Sequence, residues 1–352
     1  MRTPVDRRQF LVGAGAAGGA ALVDRTALAQ HRHAAAPAAP AASLAATLPS
    51  GFTPFAAPGV VVKVHRANSL RPGGLFPTPE AATVMVDRAI CELTGQPDIA
   101  RAWRQLVHPS DRVGVKTNGL ALRNMASNKE TILAIIHGVV AAGVPASQIV
   151  VYDQWVSFLG ATRLSRRDVP DGVRLLTHLN RDLGPETRVA SGATQYCRPL
   201  LDCTAIIGVP LIKDHSLSGF TGAMKNMTHG SIRNPEDFHR HQCSPQIAEL
   251  YAHEAIRSRV RVHVMDAFKV LYDGGPQDNA AARVPYEAIF ASTDPAAIDR
   301  IGATIVDEHR TRNRMQTITQ RGDGPRYIDH AAQLGLGVSD PARITVRTVD
   351  LT

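Results

Sequence analysis

Short apolar runs rich in β-branched residues recur along this chain, each separated from the next by a stretch of helical periodicity. That alternation constrains the fold more than any other feature. Residues 60–64, 113–115, 149–152, 205–209, 260–265, 288–292 and 344–349 read as strands. Between them, 80–93 reads as a helix behind Pro79, with Ala82, Val86, Ala89, Ile90 and Leu93 on one face. Asn128 is placed to cap a helix over 129–142 that Gly143 stops, and further helices are expected over 244–257 and 295–307. Strands alternating with helices predict an α/β fold: a largely parallel, Rossmann-like sheet flanked by helices, in one large or two intimate domains. No glycine motif of the GxGxxG or GxxxxGK[ST] type opens any of these helices, so NAD and P-loop nucleotide binding lack their fingerprints.

The first 29 residues read as an address. Arg7 and Arg8 precede Phe10 and Leu11, then a Gly/Ala-rich apolar run, then Ala27-Leu28-Ala29. This order predicts a twin-arginine export signal with an A-x-A cleavage site, hence contact with the twin-arginine machinery and a periplasmic or extracellular location. The apolar run is too short for a stable membrane span. Residues 30–57 are Ala/Pro-rich and are expected to form a disordered tether, with His31 and His33 at its start. Residues 58–352 are long enough for a substantial core.

The formal net charge is +8, of which the segment 1–29 carries +2. The arginines behind the remainder are scattered and not interleaved with aromatics, which argues against nucleic-acid binding and for attraction of small anions. Only six lysines occur among the 39 Lys and Arg residues, so a lysine here is marked for a specific task. Cys91, Cys197, Cys203 and Cys243 form no CxxC pair, which excludes the usual iron–sulfur and all-cysteine zinc motifs. A Cys197–Cys203 bridge and buried free thiols both remain open, the thiols being favoured.

Chemistry-bearing residues fall where the strands end. Lys116 and Asn118 follow the 113–115 strand, Asp153 ends the 149–152 strand, and Asp266 ends the 260–265 strand. After the 205–209 strand come Lys213, Asp214 and His215, then a small-residue loop with Gly219, Thr221 and Gly222, then Lys225 and Asn226. In open parallel sheets, ligands sit beyond the carboxyl ends of the strands. The loop predicts a short helix from about 221 to 229 whose free N–H groups would favour an anion. Lys213, Lys225, His215 and Asp266 are the candidate catalytic groups. Lys116, Asn118, Gly219, Thr221, Gly222 and Asn226 are the candidate anion-binding groups. His239 and His241 alternate, so an extended segment would put both on one face, a pattern suited to a transition metal. Asp294, before Pro295, reads as a helix cap.

In order and spacing, VGVKTNG, IIGVPLIKDHSLSGFTGAMKNMTHGSI, HVMDAFKVLYDGGP and ASTDPAAID resemble the domain-of-unknown-function family 362. Many members of that family carry a ferredoxin-type cluster segment, which this chain lacks. More distantly, the run from His215 through SGFTG to Lys225 is similar to the His, Gly-rich loop and Lys of the nickel-pincer lactate racemases. That resemblance implies His215 as the proton-transfer base, Lys225 as the cofactor anchor and His241 as the metal ligand. The AMKN context of Lys225 departs from that family. The leading expectation is an exported enzyme acting on a small carboxylate- or phosphate-bearing substrate, with a metal or racemase-like proton transfer in view. The alternative is a periplasmic anion- or cofactor-binding protein without turnover.

Overall fold

The computed structural model describes residues 42–322 and 324–352. The proposed export signal, His31, His33 and residues 30–41 of the tether lie outside the described residues. In chain order the strands are β1 Val60–Arg66, β2 Val113–Lys116, β3 Ile149–Asp153, β4 Arg174–Thr177, β5 Leu183–Val189, β6 Gly192–Cys197, β7 Ala205–Gly208, β8 Leu211–His215, β9 Gly219–Thr221, β10 Val260–Leu271, β11 Arg283–Ser292 and β12 Thr345–Leu351. The helices are α1 Pro79–Thr94, α2 Ile99–Arg104, α3 Lys129–Ala141, α4 Val156–Ala161, α5 Arg198–Leu201, α6 Ala223–His229, α7 Gln246–Ala252, α8 Glu254–Arg257, α9 Pro295–Arg312 and α10 Tyr327–Gln333.

Ten strands form one mixed, mostly parallel sheet in the order β12-β1-β11-β10-β7-β2-β3-β4, with β8 joined to β10 and β9 to β8. The strands β10, β7, β2, β3 and β4 run parallel. The exceptions are β11, antiparallel to both β1 and β10, and the β8–β9 hairpin. Every residue of β2, β3 and β7 is buried, as expected of parallel strands covered on both faces. Alternate residues feed two cores. Ala205 and Ile207 face the layer that holds α1, α2 and α3, whereas Ile206 faces the layer that holds α6, α7, α9 and α10.

The helix ends follow from local chemistry. The Thr78 side chain accepts from Ala81 N at the start of α1, Pro79 supplies a pre-set φ, and Gly95 at φ 68° closes the helix. Asp294 caps α9 through Ala297 N at 2.8 Å. Asn128 precedes α3 but makes no side-chain cap bond. The expected helix over 244–257 is two shorter ones, broken at His253. All four cysteines are free thiols. Among the described residues no helix is long and apolar enough to cross a membrane.

The tether expected to run to residue 57 ends earlier, because the compact unit begins at Ser43. Ser43 Oγ donates to Glu254, Ala46 N to Ser258 Oγ at 2.8 Å, and Phe55 N to Gln105 O at 2.7 Å. Composition hides this anchoring because backbone groups make most of it.

The chain order sets the site. From β2 the chain moves outward through β3 to β4, then returns to lay β7 on the other side of β2 and continues to β10. The order reverses between β2 and β7. A crevice at the carboxyl ends of two parallel strands whose connections leave in opposite directions is the usual ligand position in such sheets.

Candidate functional site

At that reversal lies a partly open cleft of about 150 Å³. Eight of the residues singled out from sequence line it: Lys116, Asn118, Asp153, His215, Thr221, Lys225, Asn226 and His239. Strand β2 ends in Lys116, β3 in Asp153 and β8 in His215. Within β8, alternation puts Lys213 and His215 on one face and Asp214 on the other, where it meets Arg321 at 2.6 Å. Cross-strand pairing sets Lys213 opposite Thr221. The helical spacing of α6 then brings Lys225 and His229, four residues apart, to one side.

Lys116 is neutralised. Its Nζ donates to Asp153 Oδ1 at 2.8 Å, to Thr117 O at 2.6 Å and to Asn226 Oδ1 at 3.4 Å. Asp153 also accepts from Thr117 Oγ1 and from the N–H groups of Gly119 and Gln154, so its acceptor capacity is committed. Gly230 makes room for the pair, since a Cβ there would lie 2.7 Å from Lys116 Nζ.

Lys213 and Lys225 are held differently. Lys213 is wholly buried and its Nζ has no hydrogen-bond partner. Burial, and then the charge of Lys225, lowers its pKa from 10.5 to about 7. Burial lowers Lys225 to about 8. Its Nζ donates to His239 Nε2 at 3.0 Å and approaches Cys243 Sγ at 3.7 Å. Lys213 is not in the cleft lining, but three buried atoms of residues that do line it also lack partners: Asn118 Oδ1, Thr221 Oγ1 and Asn226 Nδ2. A native buried polar group without a partner costs about 1–3 kcal/mol and calls for an explanation, and a cluster of them at one cleft points to a ligand.

His215 has a defined proton. Its Nδ1 accepts from Leu217 N at 3.0 Å and from Ser218 N at 3.3 Å. The neutral ring therefore carries its hydrogen on Nε2. Burial, followed by Lys225 and Lys213, lowers its pKa to about 2. These contacts occupy Nδ1 and leave the Nε2–H of the neutral ring as a hydrogen-bond donor.

Several expected site residues are placed elsewhere. Asp266 is not at a strand end, because β10 continues through it to Leu271. Its carboxylate accepts from Asn128 N at 2.7 Å, from Asn128 Nδ2 and from Thr131 Oγ1 at 2.9 Å, and so caps α3 from outside the helix. Gly219, at φ 72°, turns the β8–β9 hairpin. Gly222 does not leave the α6 N-terminus free for a substrate anion, because the Asp299 carboxylate fills it. Asp299 accepts from Ala223 N at 2.5 Å and from Met224 N at 3.1 Å, and a Cβ on Gly222 would collide with it. Burial raises Asp299 to about 7.

The metal expectation also changes. His239 and His241 do not share an extended face. The chain at 240–243 turns with His241 at φ 50°, and His241 is exposed. It is absent from the cleft lining that holds Lys225, so the structure does not bring together the anchor and ligand that the racemase resemblance implied. His239 instead groups with His229 and Cys243, one donor atom from each lying within 4.8 Å of the others. The signal missed in the sequence was His229, four residues beyond Lys225 on a helix.

The family model described as Domain of unknown function (DUF362) matches residues 113–304, a span that contains every cleft residue. No curated protein matches the chain. Among solved structures, a Thermotoga maritima protein shares 12% identity over 67% of this chain and 59% of its own, with a TM-score of 0.44. The lactate racemase apoprotein of Thermoanaerobacterium thermosaccharolyticum shares 11% identity over 70% of this chain and 57% of its own, with a TM-score of 0.39. The chain thus spans less than two thirds of either structure.

Proposed function

The chain belongs to the DUF362 family, and from the geometry of its cleft we propose that it is an enzyme acting on a small anion that also bears a hydroxyl or amino group. The observation that carries this reading is Lys213, a fully buried amine without a partner beside a second buried lysine. The carboxylate lining the cleft, Asp153, is already spent on Lys116. Lys213 and Lys225 together therefore favour an incoming negative charge, supplied by a carboxylate or a phosphate. Asn226 Nδ2 and the His215 Nε2–H add donors. Asn118 Oδ1, an acceptor, suits a substrate O–H or N–H. Leu120 and Phe158 on the cleft wall suit an apolar substrate body.

Lys225 is the group best suited to move a proton. An amine of pKa about 8 exists in both forms near neutral pH. His215, kept neutral, would hold the substrate oxygen through its Nε2–H while Lys225 exchanged a proton with the adjacent carbon or heteroatom. The Arg7-Arg8 segment supports an exported location for this chemistry.

The test uses a panel of small hydroxy acids, amino acids and phosphates. Binding is read from the fluorescence of Trp155, which is 38% exposed next to Gln154 of the cleft, whereas Trp103 is fully buried. Turnover is read by NMR as exchange of the substrate's carbon-bound hydrogen in deuterated water. The reading predicts saturable binding that both Lys213→Met and Lys225→Met abolish, with exchange catalysed by the wild type. Binding without exchange of any panel member would make the protein a binder without turnover. Unchanged affinity in both variants would remove the cleft from consideration.

A further inference from the structure

The His/Cys cluster at the edge of the cleft, with His229 and His239 in its lining, is a second feature, and the anion reading does not use its donors. It combines two imidazoles and one thiol from three short elements: His229 ends α6, His239 follows the turn at 235–238, and Cys243 closes the next turn. The rings of His229 and His239 meet edge to face with centroids 4.7 Å apart. Two features indicate that the arrangement is built for a purpose. His241, Gln242 and Cys243 all hold positive φ, at 50°, 61° and 60°. For residues with side chains this costs about 1–2 kcal/mol each, and three in succession are kept only where the surroundings impose them. The second feature is the cation already among the donors, because Lys225 Nζ sits 3.0 Å from His239 Nε2 and 3.7 Å from Cys243 Sγ.

We propose that His229, His239 and Cys243 form a three-ligand site for a thiophilic divalent metal such as zinc, and that the Lys225 ammonium and the metal compete for the same donors. The donor atoms lie within 4.8 Å of one another. Tetrahedral coordination with bonds of ~2.0–2.3 Å needs them about 3.3–3.8 Å apart, so a contraction of roughly one ångström completes the site. Three protein ligands leave the fourth position open, the pattern of catalytic and not structural zinc. The Phe238 carbonyl, 3.3 Å from His229 Nε2, fixes the orientation of one ligand ring, as outer contacts of metal-bound histidines do. Binding needs a deprotonated Cys243 and takes away the lone pair that His239 offers to Lys225. The thiol proton is released to solvent and the Lys225 amine turns toward the cleft. Two cations cannot occupy one donor set, so metal occupancy and the Lys225–His239 contact exclude each other.

The test is titration of the full-length, chelator-treated protein with cobalt(II) as a spectroscopic probe, then competition by zinc. The expected result is one equivalent of cobalt, with the intense visible bands of a tetrahedral ion and a near-ultraviolet thiolate-to-cobalt band. Cys243→Ser should lose the thiolate band. His229→Ala should weaken zinc by more than the ~10–100-fold typical of an outer contact. His241→Ala should bind as the wild type does. Lys225→Met, which removes the competing cation, should bind more tightly. Because the cobalt spectrum of the wild type needs no variant, misfolding of a variant leaves the test intact. No tetrahedral cobalt spectrum at micromolar metal would overturn the site, as would a thiolate band that survives Cys243→Ser. Weaker binding by Lys225→Met with native folding would overturn the competition. Anion binding measured on the metal-free protein reports separately on the cleft, so the two readings can fail independently.

Discussion

Replacing Lys213 by Met should make the protein more stable while abolishing anion binding. Met keeps most of the buried stem and removes an amine that has no hydrogen-bond partner. Lys213 is completely buried, so solvent screening does not reduce the effect. Its pKa falls from 10.5 to about 7 on folding, and at ~1.4 kcal/mol per pH unit this costs the native state about 4 kcal/mol at pH 7. Some of that returns as imperfect packing of Met, leaving an expected gain of about 2–4 kcal/mol, in the range seen when buried ionic groups become apolar. The sign follows from proton uptake. As pH drops through 10.5 the unfolded chain binds a proton at this lysine, but the folded chain does so only near 7. The wild type therefore loses stability across that window, and below about pH 7 the loss is complete and constant. The variant lacks this contribution, so the gap between the two should be largest at pH 7 and close toward pH 10.5. Lys225 and Lys269, both lowered to about 8, titrate in the same window, so only the difference between the proteins isolates Lys213. Urea unfolding at pH 7, 8.5 and 10 measures it. A variant that is less stable at pH 7, or a gap that does not change with pH, would refute the claim that this amine is buried without a partner.

Three further outcomes follow from the same contacts. Asp266→Asn should cost about 1–3 kcal/mol in urea unfolding, through weakened bonds to Asn128 and Thr131. It should leave anion affinity within a few-fold of wild type, whereas a catalytic Asp266 would lose it entirely. Lys116→Met should destabilise by about 3–5 kcal/mol, because it strands the buried Asp153 charge. The double variant Lys116→Met/Asp153→Asn should recover part of that loss, and strict additivity in the double-mutant cycle would contradict the pairing. Trp155→Phe should remove the fluorescence response to anions but leave calorimetric binding in place, since Trp103 is sealed in the core.

What could be read from the sequence divides along a physical line. The central strands β2, β3 and β7 were legible because parallel strands buried on both faces leave continuous β-branched runs. Helices α1 and α9 were legible because Pro79 and Asp294-Pro295 announce their starts. The hairpin of β5 and β6 was not, since its residues are largely half-exposed and polar. Strand β8 was hidden because it carries Lys213, Asp214 and His215 in place of an apolar run. The cleft was visible as a density of lysine, histidine and asparagine after strands. Its finer assignments required tertiary contacts. Nothing local to Gly222 shows that Asp299, 77 residues later in the numbering, takes the anion position at the head of α6. Nothing local to His241 shows that three left-handed residues turn it outward and Cys243 inward.

The Asp299 contact explains why the cleft needs its lysines. A short helix pointing its N–H groups at a crevice would normally be the anion receptor, and the sequence invites that reading. Here the fold spends that receptor internally: α9 supplies a carboxylate that fixes α6 against the sheet. Fixing α6 in turn sets the positions of Lys225, Asn226 and His229, which all lie on it. Attraction for an external anion then has to come from side chains: Lys225 lines the cleft, and Lys213, buried near it, has no hydrogen-bond partner. This separation has a functional consequence. Backbone N–H groups offer a fixed dipole, whereas amines lowered to about 7 and about 8 change charge near neutral pH and regain a proton when an anion arrives. Anion binding should therefore take up protons from solution between about pH 7 and pH 10. Calorimetry in buffers of differing ionisation enthalpy measures that uptake. Binding with no proton uptake in this range would mean that the anion is held by fixed dipoles after all.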